Sequence, residues 1–466
     1  MPLAPELEAL PGAIAGDVVL PGTPAYDAVG RPQIARFRDV RPQAVVLCVT
    51  PTDVAEAVSV ARRARVPIAM RGGGHCFAGR SSTSGIVVDV TPMRAVSVAD
   101  GVATVGAGAR LGDIYDALDE RGLTIAAGCG PTVGIAGLTL GGGLGILGRR
   151  HGLTSDQLLG AQLVLADGRV VEPDEHHEDD LFWALRGAGA GNFGVVTTLV
   201  LRTLPAPTAT SFHLVWPYAH AASLIEAWQA WAPAAPDELA ASLLVTAGGD
   251  RDREPVVHLF GAMLGSEDET TALLDEPVVR AGADPTSASL GHGPYREIKR
   301  HLAEHGPGEP SEQGHAFSKS EFFGRPLSAD AIGALVESFA KQRPAGQSRE
   351  LDFTPWGGAY NRVPADATAF VHRDARFLLK QTVVVEPDAP SADGRAGRDW
   401  LRRSWALVHP WGSGGVYPNF PDPELDDWAN AYYGRNRDRV LAVKARYDPD
   451  DVFSFPQSLS PTVALG

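Results

Sequence analysis

The sequence predicts an α+β protein of two domains, and three observations carry that reading. The chain has 466 residues, too many for one ordinary hydrophobic core. Its first 205 residues run in β-α-β style, interrupted by two glycine-rich stretches. Beyond Pro205-Ala206-Pro207 strands alternate with helices, the pattern of an antiparallel sheet with one face covered by helices.

Composition narrows the class. Hydrophobic residues make up 44% and charged residues 21%, the balance of a globular protein. No apolar run approaches the ~20 residues of a membrane-spanning helix. The N-terminal residues MPLAPELEALPGAIAG lack a basic start followed by an apolar core, so no secretory signal is expected. Three cysteines, Cys48, Cys76 and Cys129, make no disulfide framework, and a cytoplasmic location is expected. The net charge of −15 argues against nucleic acid or anionic membrane as partner. No Cys/His cluster has metal-ligand spacing, and His176-His177 reads as a solvated turn. A monomer or homodimer is expected.

Val45–Val49 reads as a strand. Thr50-Pro51-Thr52-Asp53 supplies a cap hydroxyl and an early acid, and Val54–Ala64 has apolar residues at helical spacing. The buried strand Val66–Met70 closes the β-α-β unit. It stops at Arg71-Gly72-Gly73-Gly74, followed by His75. Successive glycines permit a close backbone approach to a ligand. Their free N–H groups form an anion site, and Arg71 would add a positive fork beside it. That suits a pyrophosphate; the plain alternative is a tight turn with a surface histidine.

Three short β-type runs follow, Ile86–Val90, Ala95–Val98 and Val102–Val105. Leu111–Arg121 reads as a helix and Leu123–Ala127 as a strand. The second glycine-rich stretch, residues 128–148, contains a formal G-x-G-x-x-G (Gly143, Gly145, Gly148), with Asp167 at the spacing of a ribose-binding acid. A dinucleotide fingerprint belongs between strand and helix of one βαβ unit. Here another glycine-rich run precedes it, and Asp167-Gly168 reads as the hairpin turn between Gln162–Ala166 and Arg169–Glu172. Leu181–Gly187 is amphipathic, with two aromatics on its buried side, and Gly191–Val196 opens a strand running to Leu204. The second domain offers strands Phe212–Trp216, Ala241–Val245 and Val256–Phe260, and helices Ala221–Trp231, Glu267–Leu274 and Ala329–Lys341. The run 303–315, rich in Gly, Pro and Glu, reads as a mobile loop.

Residues 66–79 resemble the phosphate loop of the vanillyl-alcohol oxidase / p-cresol methylhydroxylase flavoproteins, and most of all their berberine bridge enzyme-like branch with its Arg-x-Gly-Gly-His run. Several further segments share the resemblance. They are the stretch 128–148, His151–Asp156, Leu181–Gly187, the runs Leu351–Tyr360 and Phe370–Val385, and the tail from Tyr417-Pro418-Asn419-Phe420 to Gln457-Ser458. Val371 stands where the family has proline. The resemblance implies a two-lobed FAD-binding domain of the p-cresol methylhydroxylase (PCMH) type, residues 1–205 and 410–466, with an inserted substrate domain, residues 206–409, of antiparallel sheet backed by helices.

It also implies the site. FAD would be held by Arg71, Gly72, Gly73, Gly74, His75, Gly79 and Ser81 in the first loop. Gly130, Pro131, Thr132, Val133, Gly137, Leu138, Gly142 and Gly143 would serve in the second, with Gly194 and Val195, then Tyr417 and Asn419 in the tail. His75 matches the histidine that bonds the FAD 8-methyl carbon. Members with a second link have cysteine directly before Pro-Thr-Val; here that residue is Gly130 and Cys129 comes one place early. In extended chain one place turns a side chain to the opposite face, so Cys129 is expected to point away and pack as a small buried residue. Leu138, where two-link members often have histidine, fits the same one-link reading. Val133 lies where the family controls oxygen access, and valine there resembles the oxygen-reactive members.

Gln381 aligns with the strand position of a catalytic glutamate in the berberine bridge enzyme; glutamine would orient or polarise, and neighbouring Lys380 should face the other way. Tyr417 is the first candidate for a base or hydroxyl-positioning group, given a nearby cation that lowers its pKa from ~10. Tyr360, His372 and Arg373 are weaker candidates, and Trp356 either lines the pocket or fills the core. The implied activity is an FAD-dependent oxidase taking hydride from a small organic substrate (an alcohol, amine or aromatic intermediate of specialised metabolism), with O2 as acceptor and H2O2 as product. The alternatives are a carbohydrate oxidase acting at an anomeric hydroxyl, against which Gly130 counts, and a flavin-binding dehydrogenase or non-enzymatic binder.

Overall fold

Thr50 opens the first long helix, Pro51–Ala64. Its side chain accepts from Asp53 N at 3.1 Å, and the Asp53 carboxylate accepts from Thr50 N at 3.1 Å, a reciprocal cap that satisfies two otherwise orphaned donors. Val54, Ala57, Val58 and Ala61 recur at helical spacing and are buried, so this face docks on the sheet beside it. The chain is described by a computed structural model covering residues 5–189, 191–305 and 314–461.

Three sheets organise these residues. The first has the order Asp17–Val19, Ala44–Leu47, Ile86–Asp89, Ile68–Arg71, parallel except at its first pair. The second has the order Val96–Ala99, Val102–Gly106, Val195–Arg202, Leu158–Val164, Val170–Val171 and is antiparallel. One apolar core joins both sheets to the tail, since Val416, Tyr432, Tyr433, Val440 and Phe453 pack in it with Val58, Leu111 and Leu199.

The third sheet is antiparallel throughout. Its order is Ser287–Pro294, Thr208–Pro217, Val256–Met263, Leu239–Ala247, Gln347–Pro355, Phe377–Val385, His315–Phe323. Phe212, Leu214, Leu243, Leu259, Phe353 and Phe377 form one face and a second core with the helices Ala221–Trp231, Glu267–Ala281, Ala329–Ala340 and Ser391–Val408. Residues of opposite parity on those strands look toward the glycine-rich loops. Every residue displayed there is therefore chosen by the period-two rule of a strand.

Several elements differ from expectation. The strand expected over Leu123–Ala127 is only Leu123–Thr124, paired with Leu204–Pro205. Ser287–Pro294 escapes sequence reading because it is an edge strand, largely exposed, with no apolar alternation to betray it. Of the run 303–315, the first three residues close the helix Tyr295–His305, and residues 306–313 lie outside the described residues. The hairpin at Asp167-Gly168 is formed, with Gly168 at φ +87°, and Asp167 pairs with Arg169 at 2.7 Å. No helix among the described residues is long and apolar enough to cross a membrane.

Two histidines make stability depend on pH. His258 lies between His213 and Thr246, both 3.0 Å from its ring nitrogens, and His372 stacks on Phe322 at 4.5 Å. Burial pulls each down to about 4. The unfolded chain, titrating near 6.5, then binds more protons than the folded one between pH 6.5 and 4. Stability should fall as pH drops through that window, by about 1.4 kcal/mol per histidine per pH unit. Urea midpoints at pH 7 and pH 4.5 check this. His258→Gln should remove its share of the difference, and equal midpoints for the unsubstituted protein would refute it.

Candidate active site

The strand Ile68–Arg71 runs directly into Gly72-Gly73-Gly74, where Gly74 takes φ +73°. A Cβ on Gly73 would lie 2.2 Å from Gly134 N, and one on Gly134 would lie 2.3 Å from Gly73 N. The two glycine-rich stretches therefore meet backbone to backbone. Along them opens a cavity of about 700 Å³, whose walls include residues 71–75, 130–134, Gly137, Leu138, Gly194 and Val195.

Arg71 borders this cavity, but its guanidinium is spent. It donates to Val29 O (2.6 Å), Gly30 O (3.2 Å) and Ser81 O (3.1 Å), with Asp89 3.9 Å away. The positive fork expected beside the glycines is instead a staple that fixes the loop to the N-terminal segment. Gly79, Gly142 and Gly143 are corrected too, because none borders the cavity. A Cβ on Gly79 would strike the Phe37 ring at 2.6 Å, one on Gly142 would meet Tyr417 at 3.2 Å, and one on Gly143 would meet Thr154 at 2.4 Å. These glycines serve packing behind the wall.

The cradle fits a flavin dinucleotide. Ser81 Oγ is buried in the wall with no hydrogen-bond partner among the described residues, and a Cβ on Gly137 would meet nothing within 4 Å, so room and a polar contact remain for a ligand. FAD bound here would lie along residues 72–75 and 130–134.

The second stretch is held from both sides. Leu111 N donates to Val133 O and Gly112 N to Pro131 O, each at 3.0 Å, so the start of the helix Leu111–Asp119 carries the loop. From the substrate-domain side, buried Lys299 donates to Ala127 O (3.0 Å), Gly128 O (2.5 Å) and Tyr115 Oη. Sequence reading missed Lys299, since a lone lysine on a helix gives no sign of burial. Cys129 borders the cavity and also packs against Ile146, Leu147, Tyr295 and Ile298.

The tail closes the far end. Tyr417 is buried, its Oη accepting from Gly143 N (2.8 Å) and Asn419 Nδ2 (3.0 Å). Burial nonetheless pushes its phenol up to about 12, the opposite of the depression a base needs. Tyr360 also borders the cavity and exchanges hydrogen bonds with Gly145 N and O at 3.2 Å each. Arg373 grips Asp156 with two bonds of 2.8 and 2.7 Å, while Trp356 is fully buried in an aromatic cluster with Phe322 and Phe370.

The floor opposite the cradle corrects Gln381. Gln381 pairs in register with Leu351 and Lys319 on the helix-covered side, so it is walled off from the cavity. Lys380 turns the other way, as alternation requires, and it is the residue that faces the cavity. Directly opposite stands Asp352, with Glu350 and Thr354 on the same face of its strand. Lys380 Nζ is 3.5 Å from Glu350 Oε1 and 3.6 Å from Asp352 Oδ2. The two acids were legible in Glu350-Leu351-Asp352-Phe353-Thr354, where polar and apolar residues alternate strictly.

A glycine-rich cradle facing a floor of two acids and a lysine sets room for a cofactor beside groups that can exchange a proton. Comparison with known proteins makes the assignment particular. The family description "FAD binding domain" matches residues 42–173, and "Berberine and berberine like" matches residues 416–460. An uncharacterised FAD-linked oxidoreductase of Bacillus subtilis, YvdP, is 34% identical, covering 96% of this chain and 99% of its own. The chitooligosaccharide oxidase of Gibberella zeae is 31% identical, covering 90% and 87%. The structure of BBE-like 1 from Physcomitrella patens superposes with a TM-score of 0.86 at 28% identity, covering 97% and 98%. The chain belongs to the berberine bridge enzyme-like FAD-linked oxidoreductases.

Proposed function

We propose that the protein is an FAD-dependent oxidase that takes hydride from a hydroxyl-bearing carbon of a small organic substrate, with O2 as acceptor and H2O2 as product. The observation that carries this reading is the position of Asp352 on the floor, across the cavity from the glycine loops. Bound FAD supplies the two-electron acceptor. Asp352 takes the hydroxyl proton as hydride leaves the carbon. Tyr417, whose Oη already accepts two N–H groups, keeps its own proton and donates a hydrogen bond through it to the substrate oxygen. Val133 in the cavity wall leaves a small side chain where oxygen would approach.

In this reading His75 carries the covalent link to FAD, and Gly130 leaves no thiol at the position before Pro131. Acid precipitation tests it. Yellow colour should pellet with the chain, and peptide mapping should place flavin mass on the His75 peptide alone. His75→Ala should release the colour to the supernatant. Flavin on the Cys129 peptide would overturn the one-link reading.

A carbohydrate oxidase is the second reading. It is favoured by the density of polar groups on the floor, Ser242, Glu350, Asp352, Thr354 and Lys380, and by similarity to the chitooligosaccharide oxidase. Anaerobic bleaching by cellobiose and chitobiose against benzyl alcohol separates the two, and a non-enzymatic binder would bleach with none.

A further inference from the structure

Lys299 is a buried cation that the proposed reaction leaves unused. It sits on the helix Tyr295–His305 with 4% of its surface exposed. Its three N–H groups are spent on Ala127 O, Gly128 O and Tyr115 Oη. Tyr115 Oη in turn donates to Gly128 O at 2.7 Å. The Tyr115 ring lies 3.7 Å from Nζ and the Tyr295 ring 5.4 Å. Each of these partners is neutral. Among the described residues no carboxylate pairs with the ammonium; Asp116 and Asp119, on the same helix as Tyr115, are taken by Arg296 at 2.7 and 3.7 Å. A charge buried without a counter-ion costs stability, so packing alone does not account for it.

Its place in the fold supplies a reason. Gly128 and Cys129 border the cavity, so Lys299 Nζ, bonded to Gly128 O, stands one peptide behind the wall. The same helix brings Leu302 and Ala303 to the cavity, which the floor residues Ser242, Asp352 and Lys380 also line. Lys299 therefore lies at the end of the cradle that meets the substrate domain. A flavin ring has to lie at this end to take hydride from a substrate on the floor. Burial pulls the ammonium down to about 8, which leaves it charged at pH 7. The phenols of Tyr115 and Tyr295 are pushed up by burial and stay neutral there, and Cys129 is the further ionisable neighbour.

We propose that the uncompensated charge of Lys299 acts through the wall to raise the reduction potential of bound FAD. The proposal rests on FAD lying with its ring beside the second glycine-rich stretch. Hydride uptake adds two electrons and one proton to a flavin, hence one negative charge. A fixed cation nearby stabilises that product and leaves the neutral oxidised form untouched. A unit charge about 10 Å away, at an effective dielectric of about 20, shifts such an equilibrium roughly ten-fold. That is about 30 mV for a two-electron couple. The domain that supplies the floor thereby also tunes the cofactor.

Equilibrium redox titration of the FAD-loaded enzyme against a reference dye tests the proposal without turnover. Lys299→Met should shift the equilibrium about ten-fold toward the oxidised form, the effect of one charge at this range. Lys299→Gln, whose amide keeps two donors for the two carbonyls, should shift it equally, and it carries the test if Lys299→Met fails to fold. Lys299→Arg keeps the charge but not the fit. It should lower the urea midpoint and leave the potential unmoved. A role confined to holding the loop would move the potential in Lys299→Arg at least as far as in Lys299→Gln. That result, or an unmoved potential in the neutral variants, would overturn the proposal. Cys129→Asp tests the placement of the flavin separately, since a carboxylate in the wall should lower the potential of a ring beside it. If Cys129→Asp lowers the potential and Lys299→Gln does not, the placement stands and the role of Lys299 fails. If neither lowers it, both fail.

Discussion

Asp352→Asn is expected to slow anaerobic flavin reduction about 1,000-fold, within the 10²–10⁴ range typical of a positioned general base. Asparagine has nearly the same shape, so the sheet pairing with Leu244 and Lys380 is kept and FAD content should not change. Lys380 retains Glu350 as partner, so no unpaired cation is left in the floor. The competing assignment makes Tyr417 the base. Its phenol is pushed up to about 12 by burial, and its oxygen already accepts from Gly143 N and Asn419 Nδ2. Tyr417→Phe removes one hydrogen bond to substrate, a loss of about 1 kcal/mol or somewhat more, or roughly ten-fold. Stopped-flow reduction by the best substrate of the bleaching panel ranks the two. A larger effect from Tyr417→Phe than from Asp352→Asn would return the base to the tyrosine.

The contrast between Gln381 and Asp352 shows where sequence reading ran out. The glycine-rich stretches were legible because glycine has few reasons to cluster except turns and close approach. Both do border the cavity, and they touch at Gly73 and Gly134. The parity of a strand inside a two-faced sheet is a different matter. Alternation alone says that Gln381 and Lys380 point to opposite faces, but it does not say which face meets the cofactor. Here the face is set by tertiary packing. Four helices cover one side, and the apolar residues of odd number in Gln347–Pro355, Leu351 and Phe353, go with them. The charged face left over is the floor of the site. Arg71 misled for a related reason. A guanidinium beside glycines suits an anion, yet three backbone carbonyls at 2.6–3.2 Å claim it first, since buried carbonyls also need donors.

Gly73→Ala is expected to abolish flavin retention and to cost the folded protein about 3 kcal/mol or more, at the upper end for forcing atoms into a packed site. Gly73 does not have positive φ, so the backbone itself would accept alanine and the cost is purely steric. The new Cβ would fall 2.2 Å from Gly134 N and 2.7 Å from its Cα. Both obstacles are backbone, which cannot swing aside as a side chain would. Gly134 in turn caps the short helix Ile135–Leu140, and its neighbour Val133 is fixed by Leu111 N. Relief therefore requires the two flavin loops to part, widening the cradle where the cofactor must be gripped from both sides. Gly137→Ala is the control, because its Cβ would enter open space with nothing within 4 Å. That variant should fold with an unchanged urea midpoint in the FAD-free state and lose only FAD affinity. Should Gly73→Ala keep its flavin and its midpoint while Gly137→Ala loses both, the backbone contact between the loops would not be what builds the cradle.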